Sequence, residues 1–167
     1  SGEVAIQALG SGGITISGNV IGDTDKNGIG GILVFSDANG APTVISGNMT
    51  SYGDEIDVDV AGPLTISGNL VATNDDVLVY NFGTSSGNTT TISGNITAYG
   101  FLDIHNEGAL SSNLNISGTL VSTDDYVHVL SNGNLQLGKV TSDNYGVDID
   151  VYGLSSMLNG AVTAYDY

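Results

Sequence analysis

The stretch Thr91-Ile92-Ser93-Gly94-Asn95 decides the fold, because the same five residues recur at 15–19 and 65–69 and close variants stand at 44–48 and 115–119. The glycines of the copies, including two weaker ones, are Gly18, Gly47, Gly68, Gly94, Gly118, Gly138 and Gly160, which are 29, 21, 26, 24, 20 and 22 residues apart. A period near twenty residues with variable insertions is typical of a solenoid, in which each repeat packs only on its neighbours.

Each repeat is predicted to consist of β-strands. The residue two places after the repeated glycine is apolar in every copy, for example Met49, Leu70 and Ile96, and the next is β-branched in every copy. A second alternating run follows about seven residues later, as in 56–60 and 147–151, and a glycine closes the run. Alternation between turn residues predicts short strands, and a glycine at a recurrent corner supplies backbone angles that other residues avoid.

Stacking such repeats in register predicts an all-β, single-domain parallel β-helix, or β-solenoid, over residues 1–167. We expect about seven rungs of roughly 20–30 residues, a right-handed coil and no cap at either end. Counted from the repeated phrase, residues 1–10 form a half-rung, 11–160 form full rungs with a loop insertion at 22–31, and 161–167 form another half-rung. Residues such as Asn69 and Asn95 should align at one turn, either as a ladder of side-chain hydrogen bonds or simply as turn formers.

Composition limits the classes of function. The chain has eighteen acidic residues but only two lysines and no arginine, so the formal net charge is −16. Such a chain repels phosphate backbones and anionic lipid, which disfavours nucleic acid and membrane surfaces as partners, and no apolar run is long enough for membrane insertion. The apolar content of 40% argues against disorder, and with no cysteine the chain has neither disulfides nor thiolate chemistry.

The two ends of the chain predict self-association. Residues 3–10 match the second half of a repeat and 161–167 match the first half, so that tail and head together would complete one rung. Neither end resembles the polar cap of a monomeric solenoid, and we therefore expect copies to stack head-to-tail into a filament. The residues expected at this interface are Glu3, Val4, Ile6, Ala8, Val162, Ala164, Tyr165 and Tyr167. The alternatives are a fragment of a longer adhesin and a monomer that is capped in some other way.

The insertion carries the strongest local motif for a ligand. Its oxygen-bearing residues alternate before a glycine, as in the first half of an EF-hand loop, but Val34 stands where that loop has its bidentate glutamate. The predicted calcium site would use Asp23, Asp25, Asn27, the carbonyl of Ile29 and Asp37. An ordinary turn rich in Asp, Asn and Gly is the alternative interpretation.

Acidic residues recur at one corner of the repeat, for example Asp75 and Asp76, and a solvated corner explains them better than a cation site or a catalytic pair, because a catalytic pair would not be copied in every repeat. The outward positions of the second strand form two columns in which apolar residues alternate with acids and histidines. We interpret this surface as a lateral contact face with Leu33, Phe35, Leu78, Tyr80, His128 and Leu130. For His105 and His128, an ordinary surface or interface role is the preferred interpretation, and a metal site is the alternative.

Four Asn-X-Ser/Thr sequons would accept glycans in a secretory or archaeal surface setting, at Asn48, Asn88, Asn95 and Asn115. Chance matches in a composition rich in Asn, Ser and Thr explain Asn48 and Asn95 better than glycosylation does, since both fall on the predicted asparagine turn.

The repeated ISGN phrases, at about twenty residues per turn, resemble the repeats of filamentous-haemagglutinin and autotransporter-type adhesins across nearly the whole chain. That resemblance implies a secreted, extracellular or cell-surface role and transfers no functional residue. We expect a structural protein whose partners are copies of itself, with cell-surface glycans or other filaments as further partners and no cofactor except calcium. The alternative is a fragment of a longer adhesin that serves as a rigid stalk or binding module. An enzyme is not expected, because a polysaccharide lyase needs clustered basic residues and this chain has two lysines.

Overall fold

The computed structural model describes residues 2–25, 28–85 and 87–165 and shows a β-solenoid built from three parallel seven-stranded sheets. Successive strands belong in turn to three sheets, which are called I, II and III below. The chain therefore makes seven turns when they are counted from its first strand. No helix in these ranges is long and apolar enough to span a bilayer. The predicted all-β parallel solenoid is confirmed.

Sheet I contains the five-residue strands β1 (Val4–Ala8), β4 (Ile32–Ser36), β7 (Ile56–Val60), β10 (Val77–Asn81), β13 (Leu102–Asn106), β16 (Val127–Ser131) and β19 (Val147–Val151). Sheet II contains β2 (Ile14–Ile16), β5 (Thr43–Ile45), β8 (Leu64–Ile66), β11 (Thr89–Ile92), β14 (Asn113–Ile116), β17 (Asn134–Leu137) and β20 (Ser156–Leu158). Sheet III contains β3 (Val20–Gly22), β6 (Met49–Ser51), β9 (Leu70–Ala72), β12 (Ile96–Ala98), β15 (Leu120–Ser122), β18 (Val140–Ser142) and β21 (Val162–Ala164).

The core is a set of columns that run along the coil axis. Ile45, Ile66 and Ile92 lie in register in sheet II and are fully buried, as the repeated phrase predicts. Met49, Leu70 and Ile96 form the equivalent column in sheet III. Each turn can bury its apolar face only against the turns above and below it, so the register of the repeats and the burial of the core depend on each other.

The repeated glycines allow adjacent turns to approach at the corner between sheets II and III. A Cβ atom built on Gly68 would overlap the carbonyl oxygen of Gly47, and one built on Gly94 would overlap that of Gly68. In the four copies where asparagine follows the glycine, its side chain accepts a hydrogen bond from the next turn. Asn69 Oδ1, for example, accepts from the backbone N–H of Asn95 at 2.9 Å. The ladder at this corner therefore runs from side chain to backbone, and not between amide side chains.

Among the glycines that close the second strand, Gly40 has a positive φ, of 86°, which an L-residue rarely adopts. Gly62, Gly83 and Gly133 do not share this backbone angle, and a Cβ atom on each would overlap a carbonyl oxygen of an adjacent turn. The expectation of special backbone angles at all these corners is therefore wrong. Close approach between turns is the physical reason for most of the glycines.

Candidate functional site

Each end of the coil exposes three unpaired strand edges. At the first end these are the outer edges of β1, β2 and β3, and at the second end those of β19, β20 and β21. The two sets match in length, with five residues in sheet I and three in each of the other sheets at both ends. An unpaired edge presents backbone donors and acceptors to any further strand, so each end is a template for another turn.

The second end also exposes residues that continue the apolar columns. Leu158 stacks on Leu137 and is 54% exposed, and Val162 stacks on Val140 and is 41% exposed. A further turn in the same register would cover both side chains. This end therefore combines open backbone edges with an uncovered apolar core.

The residues that the sequence assigned to a subunit interface lie at these two ends. Val4, Ile6 and Ala8 face the core from β1 and are half-buried, whereas Glu3 is exposed beside them. Ala164 and Tyr165 are exposed at the other end together with Val162. Tyr167 lies outside the described residues.

The predicted calcium loop connects β3 to β4 through residues 23–31. Asp23 is 2% exposed and adopts a φ of 48°, a left-handed angle that aspartate tolerates better than most residues. Its Oδ2 accepts the N–H of Gly28 at 2.8 Å, while its Oδ1 is buried without a hydrogen-bond partner among the described atoms. A buried carboxylate oxygen without a partner is costly unless a cation or water contacts it.

The structure brings some of the predicted calcium ligands together and separates another. A Cβ atom on Gly53 in the next turn would lie 2.7 Å from Asp23 Oδ2 and 2.9 Å from the backbone nitrogen of Ile29, so Asp23 and Ile29 share one corner. Asp25 belongs to the same loop, and Asn27 lies outside the described residues. Asp37 follows the far end of β4, where its Oδ1 accepts the N–H of Gly10 at 2.9 Å, and is therefore not brought to this corner.

The outer face of sheet I has the two columns that the sequence indicated. One runs Leu33, Asp57, Leu78, Asp103, His128, Asp148, and the other runs Phe35, Asp59, Tyr80, His105, Leu130, Asp150. The apolar and aromatic members are half-buried, because residues of adjacent turns stand about 4.8 Å apart and cover one another.

Acidic residues on this face are partly withdrawn from water. Asp57 stands between Leu33 and Leu78, and its Oδ1 is buried without a hydrogen-bond partner among the described residues. Burial, followed by the nearby charges of Asp59 and Glu55, raises the pKa of Asp57 to about 6. The pKa values of Asp59 and Glu55 are also raised, chiefly by burial.

These raised pKa values predict that mild acid stabilises the coil. A carboxyl group whose pKa is higher in the folded state than in the unfolded state stabilises the fold fully below its unfolded value, near pH 4, and this contribution is lost as the pH rises through about 6. We expect Asp57→Asn to raise the stability at about pH 7.5 by on the order of 1 kcal/mol after solvent screening, and to change little at about pH 4.

Thermal melts at both pH values measure this effect, and Asp148→Asn is the matched control because Asp148 is an exposed carboxylate in the same column. An Asp57→Asn variant that melts like the wild type at the higher pH would show that the burial of this carboxylate costs the fold nothing.

A cluster of imidazole and carboxylate groups lies at the centre of this face. Asp103 Oδ1 is 2.9 Å from His105 Nε2 and 3.0 Å from His128 Nδ1, and the two histidine nitrogens are 3.1 Å apart. The Tyr80 hydroxyl donates to Asp103 Oδ2 at 2.6 Å. Although Asp103 projects from the outer face, it is only 5% exposed, because these side chains cover it.

Carboxylates stand opposite the outer nitrogens of the two histidines. His105 Nδ1 lies 3.1 Å from Glu107 Oε1, and His128 Nε2 lies 3.6 Å from Asp150 Oδ2. Burial first, and then the hydrogen bond to Asp103, raises the pKa of Tyr80, so the phenol stays protonated and donates.

The sequence had placed Tyr80 and His128 on a contact face, but it had not singled out Asp103 as a site residue. The available signal was the pair Asp103 and His105 in β13, together with His128 in the next turn. Alternate residues of a strand share one face, so the three side chains were expected on the same surface.

The sequons lie in unequal environments. Asn48 and Asn95 are exposed, and Asn115 is half-buried. Asn88 is 1% exposed, and its Nδ2 donates to Asn81 Oδ1 at 2.8 Å and to the carbonyl of Gly83 at 3.0 Å. A glycan on this nitrogen would have no room in the folded coil.

Comparison with known proteins gives one curated relative. No family model matches the chain, and no solved structure matches it. The human (Homo sapiens) Rho GTPase-activating protein 24 is 31% identical to it over 133 residues, which cover 77% of this chain and 17% of that protein. The chain therefore spans less than a fifth of the length of this relative.

Proposed function

We propose that this protein is a secreted structural protein whose copies stack head-to-tail into an extracellular β-solenoid filament, serving as a matrix component, surface fibre or adhesive. The observation that carries the proposal is the pair of matching open ends. In the stacked arrangement β1 of one copy pairs with β19 of the next, β2 pairs with β20, and β3 pairs with β21. The pairing continues all three sheets without a break and removes every exposed edge except those at the filament tips.

Side chains at the two ends support this register. Val4 and Ile6 would continue the inner column formed by Val147 and Ile149, and both pairs are only partly buried in the single copy. On the outer face, Ala5 and Gln7 would stack on Asp148 and Asp150, so that no like charges meet despite the net charge of −16. The neutral outer positions of β1 therefore suit the acidic outer positions of β19.

Calcium would strengthen one corner of the filament. We propose that the loop at 23–31 binds Ca²⁺ through Asp23, Asp25 and the carbonyl of Ile29, because the unpartnered Oδ1 of Asp23 gives a hard cation a buried oxygen ligand. Lateral contacts between filaments, or with cell-surface glycans, would use the half-buried apolar residues of sheet I.

The open ends also favour a second candidate. Further turns of one longer chain would cover the same edges, and the molecule would then be the rigid stalk or a binding module of a cell-surface adhesin. This arrangement needs no contact between copies. It predicts that the isolated protein stays dispersed.

The Rho GTPase-activating activity in the name of the human relative is not part of this proposal. Activating proteins of this kind accelerate hydrolysis by supplying an arginine side chain to the transition state. This chain contains two basic residues, Lys26 and Lys139, and neither is an arginine.

Ala5→Pro tests the stacking. The N–H of Val4 donates to the carbonyl of Gly31 at 3.0 Å, so the N–H of Ala5 points to the free edge of β1, and proline removes that donor without breaking a hydrogen bond inside the subunit. We expect electron microscopy to show thin fibres of the wild type with an axial repeat of about 34 Å, seven turns at about 4.8 Å each. Fibre formation by Ala5→Pro should fall at least tenfold.

Ala5→Ser keeps the N–H and is the matched control, and both variants are imaged with millimolar calcium and with a chelator. Wild-type protein that remains dispersed at every concentration in both conditions contradicts the filament and favours the adhesin stalk. Fibres of Ala5→Pro with the wild-type repeat contradict pairing through β1.

A further inference from the structure

The three atoms at the centre of the cluster on sheet I cannot all be satisfied by hydrogen bonds. Asp103 Oδ1 only accepts when ionised, so each of its two short contacts needs a proton on the facing histidine nitrogen. The contact between His105 Nε2 and His128 Nδ1, however, needs a proton on one of these nitrogens and a lone pair on the other. With Asp103 ionised, every distribution of protons over the two histidines therefore leaves at least one of the three contacts unfavourable.

A metal ion resolves this conflict, because all three atoms can then direct lone pairs at the same point. The triangle has sides of 2.9, 3.0 and 3.1 Å. Three ligands of a tetrahedral Zn²⁺ ion at about 2 Å stand about 3.3 Å apart, so an ion fits over the triangle after a shift of a few tenths of an ångström.

The surrounding groups already have the arrangement of an outer ligand shell. Glu107 faces the remote nitrogen of His105, Asp150 faces that of His128, and Tyr80 holds the second oxygen of Asp103. Histidine ligands of metals usually donate their other N–H to a carboxylate, which fixes the tautomer and raises the basicity of the ligand. Here a carboxylate stands on the far side of each candidate histidine ligand, at 3.1 and 3.6 Å, and the Tyr80 hydroxyl donates to the far oxygen of Asp103.

The electrostatic setting also favours a divalent cation. Asp103 is 5% exposed, and the acidic side chains of Glu107, Asp148 and Asp150 stand around the two histidines. Lys139 is the only lysine or arginine in the described ranges, and it lies between β17 and β18, away from sheet I. No positively charged side chain of the described part of the protein therefore competes for this carboxylate.

We propose that Asp103, His105 and His128 bind one Zn²⁺ ion on the outer face of sheet I. Two imidazoles and one carboxylate favour zinc and its late first-row neighbours over calcium or magnesium, which prefer an all-oxygen shell. The ion links β13 to β16, and its fourth position points away from the sheet and takes water or a ligand from another molecule.

The experiment is a titration of the chelator-treated full chain with zinc by calorimetry, and with cobalt by visible absorption. We expect one equivalent of zinc to bind, a rise in the melting temperature, and cobalt bands of tetrahedral intensity. Excess calcium should not displace the zinc.

The ligands are identified with substitutions that copy residues already present in the same two columns. His105→Leu copies Leu130, the residue in register in the next turn, and His128→Leu copies Leu78 in the same column. We expect each to lower the zinc affinity at least about 100-fold, and Tyr80→Phe, which removes an outer partner, to lower it about tenfold. Melts without zinc check that each variant is folded.

Asp148→Asn is the decisive control, because His128 could instead bind a metal with Asp148 and Asp150 through its other nitrogen. Zinc affinity that survives Asp148→Asn and is lost in His105→Leu supports the proposed site. The reverse result, no binding to the wild type, or displacement of zinc by calcium overturns it. Fibre formation is a separate measurement, so failure of the filament and failure of the zinc site are distinguishable.

Discussion

Replacing Gly94 by alanine is expected to destabilise the central turns of the coil by about 4 kcal/mol or more, which is among the largest effects of a single substitution. The added Cβ atom would overlap the carbonyl oxygen of Gly68 and lie 3.0 Å from that of Ser67. Both obstacles are backbone atoms that belong to the ladder between turns. They cannot rotate away as a side chain would, so the turns must separate and the hydrogen bonds between them must lengthen.

Gly18→Ala is the matched control for this prediction. Gly18 occupies the same place in the first copy of the repeated phrase, where no turn lies beneath it, and a Cβ atom there meets nothing within 4 Å. Thermal and urea unfolding of the two variants should show a large loss of stability for Gly94→Ala and little change for Gly18→Ala. Equal stability of the two would mean that close approach of the turns is not the reason for the glycine column.

The second large effect is expected for Asn81→Ala in the buried corner between sheets I and II. Asn81 is fully buried, and its Nδ2 donates at 2.9 Å both to the carbonyl of Gly62 and to Thr90 Oγ1. Its Oδ1 accepts from the Gly83 N–H at 3.1 Å and from Asn88 Nδ2 at 2.8 Å. Removing the amide leaves several buried polar groups without a partner, and we expect a loss of about 3 kcal/mol in unfolding experiments.

Two variants separate the lost hydrogen bonds from lost volume. Asn81→Val copies Val60, which occupies the register position in the preceding turn, and fills most of the space without restoring the bonds. It should also be clearly destabilised. Asn132→Ala removes one surface hydrogen bond, from Asn132 Nδ2 to the carbonyl of Glu107, and should cost well under 1 kcal/mol. Wild-type stability of Asn81→Val would show that the network adds nothing beyond packing.

Several elements of the fold could be predicted because they depend on a local pattern that is repeated. The alternation in residues 147–151 indicates a strand whichever turn it belongs to, and the phrase ending at Asn95 marks the same corner in each copy. Repetition adds register: if Ile66 faces inward, Ile92 must lie above it when the turns stack. The outward columns of sheet I follow from the same alternation along each strand and the same register between turns.

The buried network around Asn81 could not be predicted in this way. The register positions above and below Asn81 hold Asn106 and Val60, so the column mixes polar and apolar residues. Whether a polar residue is tolerated there depends on the loop that follows it, since Asn88 arrives from a different part of the turn. Sequence spacing says little about how an irregular loop folds back onto its own corner.

Taken alone, the sequence determined two strands of each repeat, their inward and outward faces and the number of turns, because a repeat that buries its apolar side only against its neighbours has one consistent register. The third side of each turn was expected to be variable, and the structure shows that the regular strands of sheet II occupy it. Only the tertiary structure decided which polar groups meet. Asp37 is fourteen positions from Asp23, yet the extended β4 places it at the opposite corner. Asp103 and His128, 25 positions apart, are placed in one column by the repeat, but only the structure shows that their side chains meet, at 3.0 Å. The physical reason is that the distance along a strand grows with every residue. The distance between adjacent turns, in contrast, stays at about 4.8 Å, the spacing of hydrogen-bonded strands, whatever the length of the connecting loop.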